Sequence, residues 1–194
     1  MYNKFNGGTI EVITGSMFSE KTSTLISRIT KSEYAKKTVK VFKPELDTRY
    51  SKEELVSHAG ARITAIPVKN SKEIEEILFA NMEKFPDIIV VDEIQFFDEG
   101  IVSVIEKLAR LGVSVIAAGL DQDFRGEPFP VVADLLARAE VVTKLTAVCT
   151  VCGAPATKSQ RLVDGKPASA DDDTVKLGAK ESYEARCRMH HEVK

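Results

Sequence analysis

Over the first 145 or so residues, short apolar runs alternate with longer amphipathic segments, and that alternation sets the fold class. Runs at 9–14, 38–42, 63–68, 88–91, 113–118 and 141–145 are rich in Val and Ile, and several show no polar alternation. Strands read this way when both faces are covered, as in a parallel sheet flanked by helices. The segments 22–36, 71–85, 100–111 and 131–139 are predicted helices. Asn70 with Glu73 three residues later predicts a capping box for the second, and Gly112 marks the end of the third. Repeated strand–helix alternation predicts βαβ units, hence an α/β domain with a mostly parallel central sheet over residues 1–146. Residues 44–62 are polar and charged without a period, and read as a long functional loop.

The pattern changes at about residue 146. Apolar runs shorten, and Cys149, Cys152, Gly153, Pro155, Gly165, Pro167 and the acidic run 171–173 mark an irregular segment. A second, smaller domain over 147–194 of this composition buries little apolar surface and requires a staple. Cys149-Thr150-Val151-Cys152 and Cys187-Arg188-Met189-His190 offer one. Three thiolates and an imidazole suit a closed, tetrahedral, structural zinc site. His191 is an alternative to His190, because spacing does not separate adjacent histidines.

Composition narrows the function classes. Among 194 residues, 43% are hydrophobic, enough for a core, and 29% are charged. Twenty-seven Lys and Arg against 29 Asp and Glu give a formal charge of −2, which argues against a nucleic-acid partner. No run approaches the roughly 18 apolar residues of a spanning helix, so no membrane partner is expected. The N-terminus has no basic-then-apolar signal pattern, and the odd number of cysteines at metal spacing fits a reducing compartment. The expected location is the cytoplasm.

Gly15-Ser16-Met17-Phe18-Ser19-Glu20-Lys21-Thr22 follows a predicted strand and precedes a predicted helix, the context of a phosphate-binding loop. Backbone N–H groups there cradle phosphates, Lys21 reaches the β- and γ-phosphates of ATP, and Thr22 ligates Mg²⁺. Glu20 stands where that motif carries glycine. Ile88-Ile89-Val90-Val91 then delivers two acids, Asp92 and Glu93. Asp92 is placed for the magnesium neighbourhood, and Glu93 for taking a proton from an acceptor hydroxyl.

Taken together, these stretches resemble the tetrameric cytosolic type of thymidine kinase, over about residues 10–190. Carrying the resemblance, besides the phosphate loop, are Val41-Phe42-Lys43-Pro44 with Asp47-Thr48-Arg49-Tyr50, and Asp92-Glu93-Ile94-Gln95-Phe96-Phe97. Further on come the run 119–129 (GLDQDFRGEPF), the run 144–149 (KLTAVC), and Tyr183 four residues before Cys187. The resemblance implies Glu93 as catalytic base and Arg49 as the arginine that stabilises the transferring phosphoryl group. It implies a thymine pocket lined by Met17, Phe96, Leu120, Phe124 and Tyr183. A lasso loop over about 164–183 would close on the base, with backbone at Leu177 and Gly178 meeting the pyrimidine edge. Of Phe96 and Phe97, one is expected in the core. Thymidine as substrate, thymidine triphosphate as feedback inhibitor and a homotetramer are implied in the same way. Besides Glu20, two positions depart from the family: Pro130, where glycine is frequent, and His190, where a fourth cysteine is usual.

Three function classes follow. The first is an active ATP- and Mg²⁺-dependent thymidine kinase. The second is a thymidine- or nucleotide-binding protein impaired in transfer by Glu20. The third is a zinc-ribbon module for nucleic acid, which the charge balance disfavours.

Overall fold

The structure is a computed structural model that describes residues 7–46, 54–56, 60, 62–80, 85–174 and 181–194. The chain opens with β1 (Ile10–Gly15), α1 (Lys21–Tyr34) and β2 (Val39–Pro44), then the short strands β3 (Glu54–Val56), β4 (Arg62–Thr64) and β5 (Ile66–Val68). Next come α2 (Ser71–Phe79), β6 (Ile88–Val91), a 3-10 turn at Ile94–Phe96, and α3 (Gly100–Arg110). β7 (Ser114–Gly119), α4 (Pro130–Arg138) and β8 (Val141–Leu145) complete the larger part. The C-terminal part holds β9 (Ala147–Val148), β10 (Pro155–Ala156), β11 (Lys158–Val163), β12 (Lys166–Pro167) and β13 (Glu181–Arg186).

Six strands form one sheet in the order β5-β2-β6-β7-β1-β8, and each neighbouring pair runs parallel. Strand alternation sends successive side chains to opposite faces. Ile89 and Val91 therefore join Val12, Val115 and Ala117 on the face covered by α2, α3 and α4, while Val90 joins Ile13, Ile116 and Ala118 under α1. Burial on both faces explains why these runs are continuously apolar. Parallel strands also place all their C-terminal ends, and the loops that follow them, along one edge, where open α/β sheets bind ligands.

Helix ends follow local chemistry. Asn70 accepts from the Glu73 N–H at 3.1 Å, as the capping box requires, but the Glu73 carboxylate reaches back to the Lys69 N–H rather than to Asn70. Past α3 the chain turns through Gly112 (φ 88°), whose N–H returns to the Ala109 carbonyl. Pro130 sits in the first turn of α4, where no N–H is needed.

Four expectations differ from what forms. The run 63–68 splits at Ala65: β4 pairs antiparallel with β3, and β5 joins the main sheet as its edge. Pro67 is tolerated there because an edge strand leaves one side unpaired. The predicted loop 44–62 thus contains a strand, β3, whose three residues are too short to show a period. α2 ends at Phe79 rather than running to Phe85. Residues 81–84 lie outside the described residues, and the Phe85 ring meets Phe79 edge-on, with centroids 5.0 Å apart. The C-terminal part is more regular than its composition suggests, with a three-stranded sheet β12-β11-β13 and a two-stranded one, β10-β9. Among the described residues, no helix is long and apolar enough to cross a membrane.

Candidate active site and metal centre

β1 runs straight into the phosphate-type loop. Gly15 (φ 147°) admits no side chain, because a Cβ would fall 2.4 Å from the Leu145 carbonyl oxygen and 2.8 Å from Ser19 Oγ. The Ser16 carbonyl accepts from Ser19 Oγ and from Lys21 Nζ, both at 2.8 Å, so the loop curls around its own lysine. Its outer wall comes from the C-terminal part: Met17 N–H donates to Ser159 Oγ at 2.9 Å, and Ser16 Oγ to the Ala156 carbonyl at 3.3 Å. Thr22 lies in the first turn of α1, half-buried.

Glu20 occupies the left-handed region (φ 63°, ψ 28°) immediately before α1, and its carbonyl accepts from Thr24 N–H. Glycine adopts this conformation freely, whereas an ordinary L-residue bears roughly 1–2 kcal/mol of strain. The Glu20 side chain is exposed and makes no capping hydrogen bond. The backbone conformation at this position is thus one open to glycine; what glutamate adds is strain and a negative charge.

β6 carries Asp92 to the same edge of the sheet and buries it to 5% exposure, with its N–H on the Phe42 carbonyl. One strand, β7, separates β1 from β6, so the strands that carry the loop and the acid pair run about 10 Å apart, two strand spacings. Glu93 is left-handed (φ 48°), and its Oε2 accepts from Gln95 Nε2 at 2.5 Å. Gln95 Oε1 in turn accepts from Leu120 N–H at 3.0 Å, at the end of β7.

The loop after β7 is tied down at many points. Asp123 Oδ1 accepts from the N–H groups of Arg125 and Glu127, Lys158 donates to Gln122, and His191 Nε2 meets the Phe124 carbonyl at 2.8 Å. The Phe124 ring is 3% exposed and lies between two guanidinium groups, Arg125 at 4.8 Å and Arg161 at 5.0 Å. Arg125 also gathers the Ala170 and Asp172 carbonyls and Thr174 Oγ1. Met17, Phe96, Leu120 and Tyr183 are half-buried, and Tyr183 pairs with Arg161 across β13 and β11. Phe97 joins the core, which leaves Phe96 as the more exposed of the pair. Arg49, Leu177 and Gly178 lie outside the described residues.

Cys149, Cys152, Cys187 and His190 converge, their ligand atoms all within 4.8 Å of one another. Cys152 and Cys187 sulfurs are 3.8 Å apart, and His190 Nδ1 lies 3.2 Å from Cys187 Sγ and 3.9 Å from Cys149 Sγ. A tetrahedron with zinc–sulfur and zinc–nitrogen bonds of ordinary length has edges of about 3.8 and 3.6 Å, so the donor set fits Zn²⁺. The open choice between adjacent histidines resolves to His190, since His191 is held by Phe124. Burial pushes the Cys149 thiol up, but backbone hydrogen bonds at Cys187, Val151 and Cys152 outweigh it and bring it down to about 6. Metal capture requires the thiolate, so this lowers its proton cost.

Gln95, Ser159, Arg125 and Arg161 also stand at the site, and residue type alone does not mark them. Gln95 and Arg125 stand inside the stretches that carry the resemblance, so position was a signal. Ser159 and Arg161 left none, lying in a short polar run.

A parallel α/β sheet with a phosphate-type loop after its first strand, and a Cys₃His cluster that could bind zinc, defines the class: a P-loop α/β protein with a zinc-type C-terminal module. The family model for thymidine kinase matches residues 8–191, and the chain belongs to the thymidine kinase family. Among solved structures, the chain is similar to the flagellar accessory protein FlaH from Methanocaldococcus jannaschii, at 16% identity and a TM-score of 0.47, over 77% of this chain and 75% of that one. It is also similar to the Thermotoga maritima RuvB Holliday junction branch migration motor, at 13% identity and a TM-score of 0.42, over 75% of this chain and 40% of that one. Neither likeness bears on what this chain binds.

Proposed function

We propose that the protein transfers the γ-phosphoryl group of ATP to the 5′-hydroxyl of thymidine, with deoxyuridine as a further acceptor of the same chemistry. The observation that carries this reading is the family match over residues 8–191, on a chain whose phosphate loop and acid pair share one sheet edge. Loop N–H groups and Lys21 hold the triphosphate, and Thr22 and Asp92 provide oxygen ligands for Mg²⁺. Mg²⁺ held by these two side chains would supply positive charge against the phosphate oxygens. Glu93 accepts the 5′-hydroxyl proton as that oxygen attacks the γ-phosphorus and the bond to ADP breaks. Arg49 stabilises the charge on the group in flight. Met17, Phe96, Leu120, Phe124 and Tyr183, with backbone at Leu177 and Gly178, form the thymine pocket. Residues 1–146 serve as the nucleotide-binding domain, and 147–194 as a zinc-held lasso domain. A cytoplasmic homotetramer inhibited by thymidine triphosphate completes the reading.

The alternative, a nucleotide-binding protein that transfers poorly, rests on Glu20. Its glycine-like backbone and exposed side chain favour the active kinase. Each phosphate charge at about 7 Å from an exposed carboxylate costs only about 0.6 kcal/mol. Glu20→Gly is expected to lower the KM for ATP by about three- to tenfold with kcat within about twofold. Released strain should raise Tm by about 2–4 °C per kcal/mol. Steady-state kinetics and calorimetry on both proteins check this, and thymidine phosphate formed by the variant alone favours the impaired reading.

A further inference from the structure

Gln95 sits in the turn just after the acid pair, 8% exposed, and uses both ends of its amide. The N–H of Leu120 can only donate, so the partner facing it must be the amide oxygen. That fixes the orientation of the group: Nε2 is left pointing at Glu93 Oε2, 2.5 Å away. Gly119 leaves the room this needs, because a Cβ there would lie 2.4 Å from Gln95 Oε1 and 2.8 Å from Ile94 Cγ2. Glu93 itself has a left-handed backbone (φ 48°), a conformation that strained functional sites retain when their surroundings over-determine it.

A buried glutamine that merely satisfies its own polar atoms is the plain reading of such a turn. The partners make it more specific. One end grips the carboxylate that would take the proton, and the other grips backbone at Leu120, a residue of the proposed nucleoside pocket. We propose that Gln95 is the positioning residue of the phosphoryl-transfer site, whose amide fixes the Glu93 carboxylate in register with the Leu120 backbone. This rests on the reading of Glu93 as general base. A carboxylate displaced by about 1 Å loses on the order of 100-fold in rate, so the amide matters to kcat more than to binding.

A double-mutant cycle separates positioning from packing. Parent, Gln95→Leu, Glu93→Gln and the double variant are compared for kcat, for thymidine KM, for thymidine binding by calorimetry, and for Tm. Gln95→Leu is expected to cut kcat by about 10- to 100-fold with KM within about threefold. On the Glu93→Gln background the same change should cost less than about twofold, because a residue acting through Glu93 has nothing left to act on. An equal fold-loss in both backgrounds, or an unchanged kcat in Gln95→Leu, overturns the proposal. Should Gln95→Leu fail to fold, Gln95→Met keeps the length of the side chain without a donor toward Glu93, and the same pattern is expected of it. A Glu93→Gln protein as fast as the parent removes the general-base reading itself. A slow Glu93→Gln beside an unaffected Gln95→Leu removes only the role of Gln95.

Discussion

Glu93→Gln should lower thymidine turnover by about 100- to 10,000-fold, the usual contribution of a positioned general base, while thymidine still binds. The substitution keeps the shape of the side chain and one acceptor oxygen for Gln95 Nε2, and removes the negative charge and the capacity to take a proton. An amide at Glu93 leaves the loop after β1, Asp92 and the side chains proposed to line the pocket in place, so KM and calorimetric affinity should stay within a few-fold. The left-handed backbone at Glu93 tolerates either side chain equally, so Tm should hardly move. Rapid-quench measurement of the first turnover reads the chemical step directly. Turnover within twofold of the parent would take Glu93 out of the mechanism and leave proton transfer to solvent.

Loss of the metal is expected to be the largest structural effect. The C-terminal part has a core of Ala147, Cys149, Ala156, Ala185 and Cys187, and two of those five residues belong to the Cys₃His cluster that could bind zinc. Three alanines offset little of the chain entropy of ordering such a segment, so metal binding at the Cys₃His cluster is expected to supply much of its stability. Structural zinc contributes roughly 10–16 kcal/mol of apparent binding energy in small zinc modules. Cys187→Ser, at the ligand closest to His190, should therefore drop bound zinc from about one per chain to near none. Proteolysis should then cut within 147–194. Damage should spread, because Ser159 and Ala156 hold the Met17 N–H and Ser16 hydroxyl of the phosphate loop. Weaker ATP binding is the expected secondary loss. Elemental analysis, limited proteolysis and Tm check this, and a variant with unchanged Tm and protease resistance would show the cluster to be dispensable.

The main sheet was legible because parallel strands buried on both faces write themselves as unbroken Val and Ile runs, as Ile88–Val91 does. The C-terminal strands were not, and the reason is physical. Ser159, Gln160 and Arg161 in β11 are each at most 3% exposed, so that strand is buried yet polar, and no hydrophobic period exists to find. Its partners are equally unreadable from local pattern: Gln160 bonds the Glu192 backbone and Arg161 the Asp173 carbonyl, both remote in sequence. Cysteine spacing, in contrast, pointed directly to the Cys₃His cluster that could bind zinc, while the choice of His190 over His191 needed the structure, where His190 meets the sulfurs and His191 meets the Phe124 carbonyl. For Glu20, residue type alone marks an anomaly, and its φ of 63° shows that the backbone still takes a conformation natural to glycine.

Thymidine phosphorylation by the purified, zinc-loaded protein with ATP and Mg²⁺ tests the central claim most directly. Thymidine monophosphate and ADP are expected in equal amounts, with product also from deoxyuridine. A folded, zinc-containing protein that forms no nucleoside monophosphate from either acceptor would contradict it.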